Sequence, residues 1–146
     1  MNFPFTKSRR ILWGDSDPAG IIYTPRVFHY ALETIEEWLI EILGHNSMTL
    51  RDKHRIDTPT VKMCCEFIHP MRTGEYIDIS LEIKKLGNAS LNYVFNGFDS
   101  EKHHCFHIDQ VVCFVDAESF EPISISKDFR RKIQSYKNSC DKLYKK

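Results

Sequence analysis

The segment "TPRVFHYALETIEEWLIEILG", residues 24–44, sets the architecture that the rest of the chain must accommodate. Apolar residues recur along it at Phe28, Ala31, Leu32, Ile35, Trp38, Leu39, Ile42 and Leu43. Steps of three and four put them on one face of a helix about five turns long. Glu33, Glu36, Glu37 and Glu41 fall largely on the other side. Thr24 reads as the N-cap and Pro25 as the first helical residue. Gly44, followed by His45 and Asn46, reads as the stop.

Beyond the helix, the character changes after the loop "NSMTLRDKHRIDTP", residues 46–59. Four segments rich in β-branched and aromatic residues follow, at about 60–69, 75–86, 90–98 and 104–115, separated by turn signals at Pro70–Gly74, Leu86–Asn88 and Asp99–Lys102. "YIDISLEI" alternates apolar and polar residues, as a strand with one wet face should. A short strand near 120–125 and a charged helix from Lys127 follow. Upstream, "KSRRILW" (7–13) predicts a first strand ending at Gly14. Strand, long helix, then consecutive strands with short turns favour an α+β fold, an antiparallel sheet with one helix packed on one face.

Composition narrows the function. The 146 residues suit one domain, 1–146, with a helical tail from about 127. Lys plus Arg (20) equals Asp plus Glu (20), so no global field recruits nucleic acid or an anionic membrane. No apolar run approaches the roughly 18 residues that span a bilayer. The N-terminus "MNFPFTKSRR" is charged where a secretory apolar region would stand, and the five Cys are odd in number. A cytoplasmic protein with reduced thiols is expected.

Ahead of the helix runs "WGDSDPAGIIYTP", residues 13–25, which sets two carboxylates one residue apart beside apolar residues. The part "GDSDPAGIIYTP" resembles the signature loop of the 4-hydroxybenzoyl-CoA thioesterase family of the hotdog-fold superfamily. There an Asp-x-Asp-(Pro/Ala)-x-Gly turn and an apolar-aromatic step lead into the long central helix. The element order matches through about residue 125. The resemblance implies a curved antiparallel sheet wrapped around the helix, and a homodimer or homotetramer with its active site between subunits. It implies hydrolysis of an aromatic or fatty acyl thioester, carried by coenzyme A or an acyl carrier protein, with no metal and no cofactor beyond the coenzyme A of the substrate. It makes Asp17 the catalytic acid and puts the carbonyl-polarising N–H at Thr24 or just beside it.

Elementary chemistry agrees. A helix N-terminus offers unsatisfied N–H donors and partial positive charge, suited to a developing oxyanion. Pro25 lacks an N–H, so the donor comes from Tyr23, Thr24 or the residues just after Pro25. A carboxylate with an ordinary pKa near ~3.9 is ionised at neutral pH. It can attack to form an anhydride or activate water, and the sequence does not choose. Gly20 would let the backbone approach the ligand, Pro18 would stiffen the turn that aims Asp17, and Ile21, Ile22 and Tyr23 would supply apolar walls. The bland alternative is an Asx-turn in which Asp15 or Asp17 bonds backbone amides. Asp15 is expected to be structural in this way, and Asp17 functional.

Coenzyme A carries phosphates and needs basic partners. Related proteins place adjacent Arg residues where this chain has "KKLGNAS", residues 84–90, with Gly87 and Asn88 where Arg is expected. Lys84 and Lys85, or Arg72 and Arg130–Lys132, could substitute. "HHCFH" (103–107) would put His103, Cys105 and His107 on one strand face, within reach of Cys64 or Cys65 on an adjacent strand, but a half-exposed strand face is preferred to a metal site. Glu33, Glu36 and Glu37 could include a second acid, though a solvated or interface stripe explains them. His29 is read as part of the polar face. The runner-up function is a non-catalytic acyl-CoA or acyl-carrier-protein binding protein on the same fold. A dehydratase is disfavoured because no His-Asp hydratase motif is found.

Overall fold

The computed structural model describes residues 2–145. A five-stranded antiparallel sheet runs in the order β1 (Phe5–Arg10), β4 (Tyr76–Leu86), β5 (Ser90–Asp99), β6 (His104–Cys113) and β3 (Thr60–Phe67). The short strands β2 (Ile56–Asp57) and β7 (Val115–Asp116) pair separately. Ile77, Ile79, Leu81 and Ile83 of β4, with Leu91, Tyr93 and Phe95 of β5, are buried, while the residues between them are partly wet. The period of two therefore marks the face that packs on the long helix α1 (Thr24–Leu43).

Helix α1 ends as expected. Gly44 takes a left-handed φ of 80°, its N–H donates to Ile40 O at 3.0 Å, and His45 N–H donates to Leu39 O at 3.4 Å, which uses the carbonyls a helix end leaves free. The start differs by one residue, since Tyr23 is the N-cap and Thr24 the first helical residue. The buried stripe is also rotated. Val27, Tyr30 and Thr34 are inside, whereas Leu32 and Ile40 are exposed. Trp38 sits at the centre, fully buried, edge-on to Tyr93 at 5.5 Å and to Tyr136 at 5.4 Å. Each such edge contact contributes about 0.5–1.5 kcal/mol beyond the area buried. Tyr136 comes from the C-terminal helix α3 (Lys127–Asp141), where the sequence placed a helix, and accepts a hydrogen bond from Phe5 N at 2.9 Å, clasping the sheet edge.

Three elements depart from expectation. The first strand stops before Leu12, because Asp15 N–H bonds Leu12 O at 3.0 Å and curls Trp13–Asp15 into a 3-10 turn. The stretch 46–59 contains a helix, α2 (Ser47–His54), whose N-cap Asn46 accepts from Thr49 N at 2.8 Å. Instead of a strand at 120–125 there is an isolated bridge, Val115 with Pro122.

Gly97 on β5 has a packing reason. A Cβ added there would lie 2.2 Å from the buried ring of Phe106 on the paired strand. Gly97→Ala should therefore cost about 1–3 kcal/mol in urea unfolding, with part recovered by adding Phe106→Leu. Stability equal to that of the parent protein would contradict this packing.

Candidate active site

The stretch 13–25 closes on itself and onto the sheet. Gly20 N–H donates to Asp17 O at 3.0 Å, making a four-residue turn, and Asp17 N–H donates to Ile21 O at 2.8 Å. Gly20 is needed there because its φ is +77°, while the space a side chain would fill is open. Its role is backbone conformation rather than close approach to a ligand. Ile22 N–H donates to Met71 O at 2.9 Å and Thr73 N–H to Gly20 O at 3.3 Å, which anchors the loop on the connection between β3 and β4.

Asp15 joins this loop to the helix. Only 6% exposed, its Oδ2 accepts from Leu12 N at 3.0 Å and from the Tyr30 hydroxyl at 2.8 Å. Its own carbonyl accepts from Tyr23 N–H at 2.8 Å. Burial alone pushes the Asp15 carboxyl up, but the Tyr30 and Leu12 hydrogen bonds and the charges of Arg9 and Arg26 outweigh it and hold it below its ordinary value. Burial and the Asp15 carboxylate in turn push the Tyr30 phenol up to about 12. The guanidinium of Arg9 lies 4.2 Å over the Tyr30 ring. Asp15 is structural, as expected.

This arrangement decides which amide is available. Tyr23 N–H is already bonded to Asp15 O, which removes it from the pair of expected oxyanion donors. Pro25 has none, and Arg26 N–H donates to Tyr23 O at 2.8 Å. Thr24 stands at the first helical position, and Gly20 O, four residues back, receives Thr73 N–H. Among the described residues the Thr24 amide makes no hydrogen bond, so the helix start leaves it over as a donor.

Thr24 lines an apolar cleft of about 320 Å³ with Ile21, Ile22, Phe67, Ile68, His69, Pro70 and Met71. That volume is in the range of small-molecule sites. Ile21 and Ile22 were expected here, and Phe67–Met71 were missed, because only tertiary structure brings the end of β3 beside the loop. Asp17 faces a neighbouring hollow of about 560 Å³, with Trp13, Gly14, Ser16, Pro18, Gly20 and Thr73. Gly20 borders this hollow and its neighbour Ile21 the cleft. The half-buried Asp17 carboxylate accepts from Ala19 N–H through Oδ1 at 2.8 Å, and its Oδ2 has no protein partner among the described residues. The Asx contact considered for this loop therefore forms and still leaves one oxygen free.

Other expectations are corrected. Tyr23 is 55% exposed and walls neither space, and Trp13, 87% exposed, stands at the Asp17 hollow instead. Pro25 is exposed at the helix start, outside the cleft. Lys84 and Lys85 lie toward the end of β4 remote from Tyr76, which pairs with Arg10 near the loop. Eight residues of strand put them about 26 Å from that end, and Lys84 is engaged by Asp109 at 2.8 Å. Within one chain they do not join the loop. Arg72, which bridges to Ile21, is the exposed basic residue beside it. Glu33 and Glu37 are ion-paired with Arg9 and Lys7, and Glu36 accepts from Ser47 N–H at 3.2 Å, so all three are structurally engaged. His103, Cys105 and His107 do not share a face. A register shift at Gly97/Phe98 buries both Cys105 and Phe106, and His107 turns with His104 to Asn96 Oδ1.

Known proteins share this architecture. Residues 11–133 match the family model described as the thioesterase-like superfamily. A 1,4-dihydroxy-2-naphthoyl-CoA hydrolase of Nostoc punctiforme is 29% identical over 118 residues, 79% of this chain and 76% of that protein. Another of that name from Prochlorococcus marinus is 26% identical over 132 residues, 87% of each. The crystal structure of a 1,4-dihydroxy-2-naphthoyl-CoA thioesterase from Synechocystis superposes with a TM-score of 0.82 at 16% identity, covering 89% of this chain and 95% of that one. The fold is the hotdog fold.

The Asp15 cluster makes its own prediction. Asp15→Asn should lower stability at pH 7 by about 1–3 kcal/mol. A depressed folded-state pKa contributes stability above the unfolded value and loses it as pH falls through the folded value, so the gap to the parent should narrow below about pH 4. Urea unfolding from pH 3 to 7 reads this directly, and a pH-independent gap would contradict it.

Proposed function

The chain belongs to the thioesterase-like superfamily, and on that premise we propose that it hydrolyses the thioester of a hydroxyaryl acyl-CoA of the 1,4-dihydroxy-2-naphthoyl class. The observation that carries the reading is the left-over Thr24 amide at the start of α1, lining an apolar cleft next to the loop of Asp17. The acyl group lies against Ile21, Ile22, Phe67 and Met71. The thioester oxygen receives the Thr24 N–H, reinforced by the helix dipole. Asp17 acts from the other side of the turn, through its free Oδ2, as nucleophile or as the base that activates water. Hydrolysis adds one water and releases the acid and the coenzyme A thiol. The names of the relatives favour the bicyclic acyl group over 4-hydroxybenzoyl. Arg72, exposed beside Ile21, is the proposed phosphate contact in place of Lys84 and Lys85.

The working unit in this reading is at least a dimer. Among the described residues β3 has a neighbour only on its β6 side, and Val61 and Phe67 on it, with Ile68 just after it, are exposed. A free edge that carries exposed apolar side chains accepts another strand. A second copy joined there would cover the cleft, which the end of β3 lines.

Thiol release measured with 1,4-dihydroxy-2-naphthoyl-CoA, 4-hydroxybenzoyl-CoA and palmitoyl-CoA tests the assignment. The naphthoyl ester should give the highest kcat/KM, and Asp17→Asn should lower its kcat by about 10²–10⁴-fold. Arg72→Ala should raise KM with little change in kcat. Undiminished turnover by Asp17→Asn would remove that carboxylate from the mechanism, and saturable binding without thiol release would replace the enzyme with a binding protein.

A further inference from the structure

The connection after β3 sets His69 in the lining of the cleft and also against a second group of side chains. Ile68 N–H and His69 N–H both donate to Cys105 O, at 2.8 and 3.1 Å, so the backbone pins His69 beside the start of β6. There its ring stacks on that of His103, with centroids 4.5 Å apart and planes 25° from parallel. Both imidazoles address one oxygen. His103 Nδ1 is 2.9 Å from Asp99 Oδ2, and His69 Nε2 is 4.0 Å from the same atom. The other oxygen of this buried carboxylate, Oδ1, accepts from Glu101 N and His103 N, each at 2.9 Å. Asp99 is thus oriented from behind, with Oδ2 turned toward the two rings.

A capped turn with one His–Asp pair accounts for Asp99 and His103. It does not account for His69, which is beyond hydrogen-bond distance of the carboxylate and yet held against it by two backbone bonds. A cation between the three groups does. One donor atom from each of His69, Asp99 and His103 lies within 4.8 Å of the others. Donors at 2.0–2.1 Å from a tetrahedral zinc ion sit about 3.3 Å apart. Small rotations of the two exposed imidazoles would draw His69 in from 4.0 Å and open the 2.9 Å His103–Asp99 contact by a few tenths of an ångström. Two nitrogens and one carboxylate oxygen select zinc, cobalt, nickel or copper over magnesium and calcium. We propose that His69, Asp99 and His103 form a binding site for one divalent transition-metal ion of the zinc class, with its fourth position open to water or a ligand. The ion would tie the β3–β4 connection to the β5–β6 turn, and through His69 it would border the cleft that Thr24 lines.

The test uses the whole untagged protein after chelator treatment, titrated with zinc in a calorimeter and with cobalt in a spectrophotometer. One zinc per chain is expected, and His69→Ala and His103→Ala should each weaken binding at least tenfold. The cobalt complex should lack the intense near-ultraviolet band of thiolate ligation. Asp99→Asn is a secondary variant, because Asp99 also holds the turn. The two exposed histidines are the primary variants, with their folding checked by circular dichroism. No binding, unchanged affinity in both histidine variants, or a thiolate band pointing to Cys64 or Cys65 would each overturn the site.

Discussion

A buried carboxylate, Asp15, holds the functional end of the molecule together. It receives the Leu12 amide and the Tyr30 hydroxyl, while its backbone carbonyl receives the Tyr23 amide. A charge this dry is tolerated only when hydrogen-bonded and near cations, and Arg9 and Arg26 supply the second condition. Three parts of the chain are thereby fixed relative to one another: the exit from β1, the loop 13–25 and the first turns of α1. The loop cannot shift without exposing that charge to an unbonded interior, which costs more than any surface contact it could gain.

The same constraint sets the geometry that the proposed chemistry would use. By consuming the Tyr23 amide, Asp15 leaves the Thr24 amide as the helix donor that lines the apolar cleft, and by pinning the loop it sets the Asp17 turn beside that cleft. Asp15 and Asp17 thus differ: one carboxylate is buried and bonded to the loop and the helix, the other is half-buried and bonded to Ala19 N–H alone among the described residues. Lack of solvation, in this arrangement, belongs to the cleft of Ile21, Ile22, Phe67 and Met71 rather than to Asp17. The Asp17 hollow, rimmed by exposed Trp13, is open in a single chain.

Much of this was legible in the sequence. Helix α1, its Gly44 stop, four of the sheet strands and the structural place of Asp15 follow from period and turn chemistry. Local rules missed helix α2, because its apolar content is low and the Asn46 cap was its main signal. They also missed the inward turn of Cys105, since the shift at Gly97/Phe98 is set by the partner strand. Within one chain Lys84 and Lys85 stand apart from the loop for a topological reason: Lys84 follows Tyr76 along one strand, and only the antiparallel pairing with β1 reveals which end of β4 meets the loop. His69 gave no signal at all, as its companions stand thirty or more positions away in the sequence.

Catalysis in this reading requires one thioester carbonyl to sit between the Thr24 amide and the side chain at position 17. A crystal structure of the Asp17→Asn protein soaked with 1,4-dihydroxy-2-naphthoyl-CoA would show whether it does. The carbonyl oxygen should lie within hydrogen-bond distance of Thr24 N, the carbonyl carbon about 3–3.5 Å from the position-17 side chain, and the rings against Ile21, Ile22 and Met71. A carbonyl held by a different donor, with the acyl group outside that cleft, would contradict this placement.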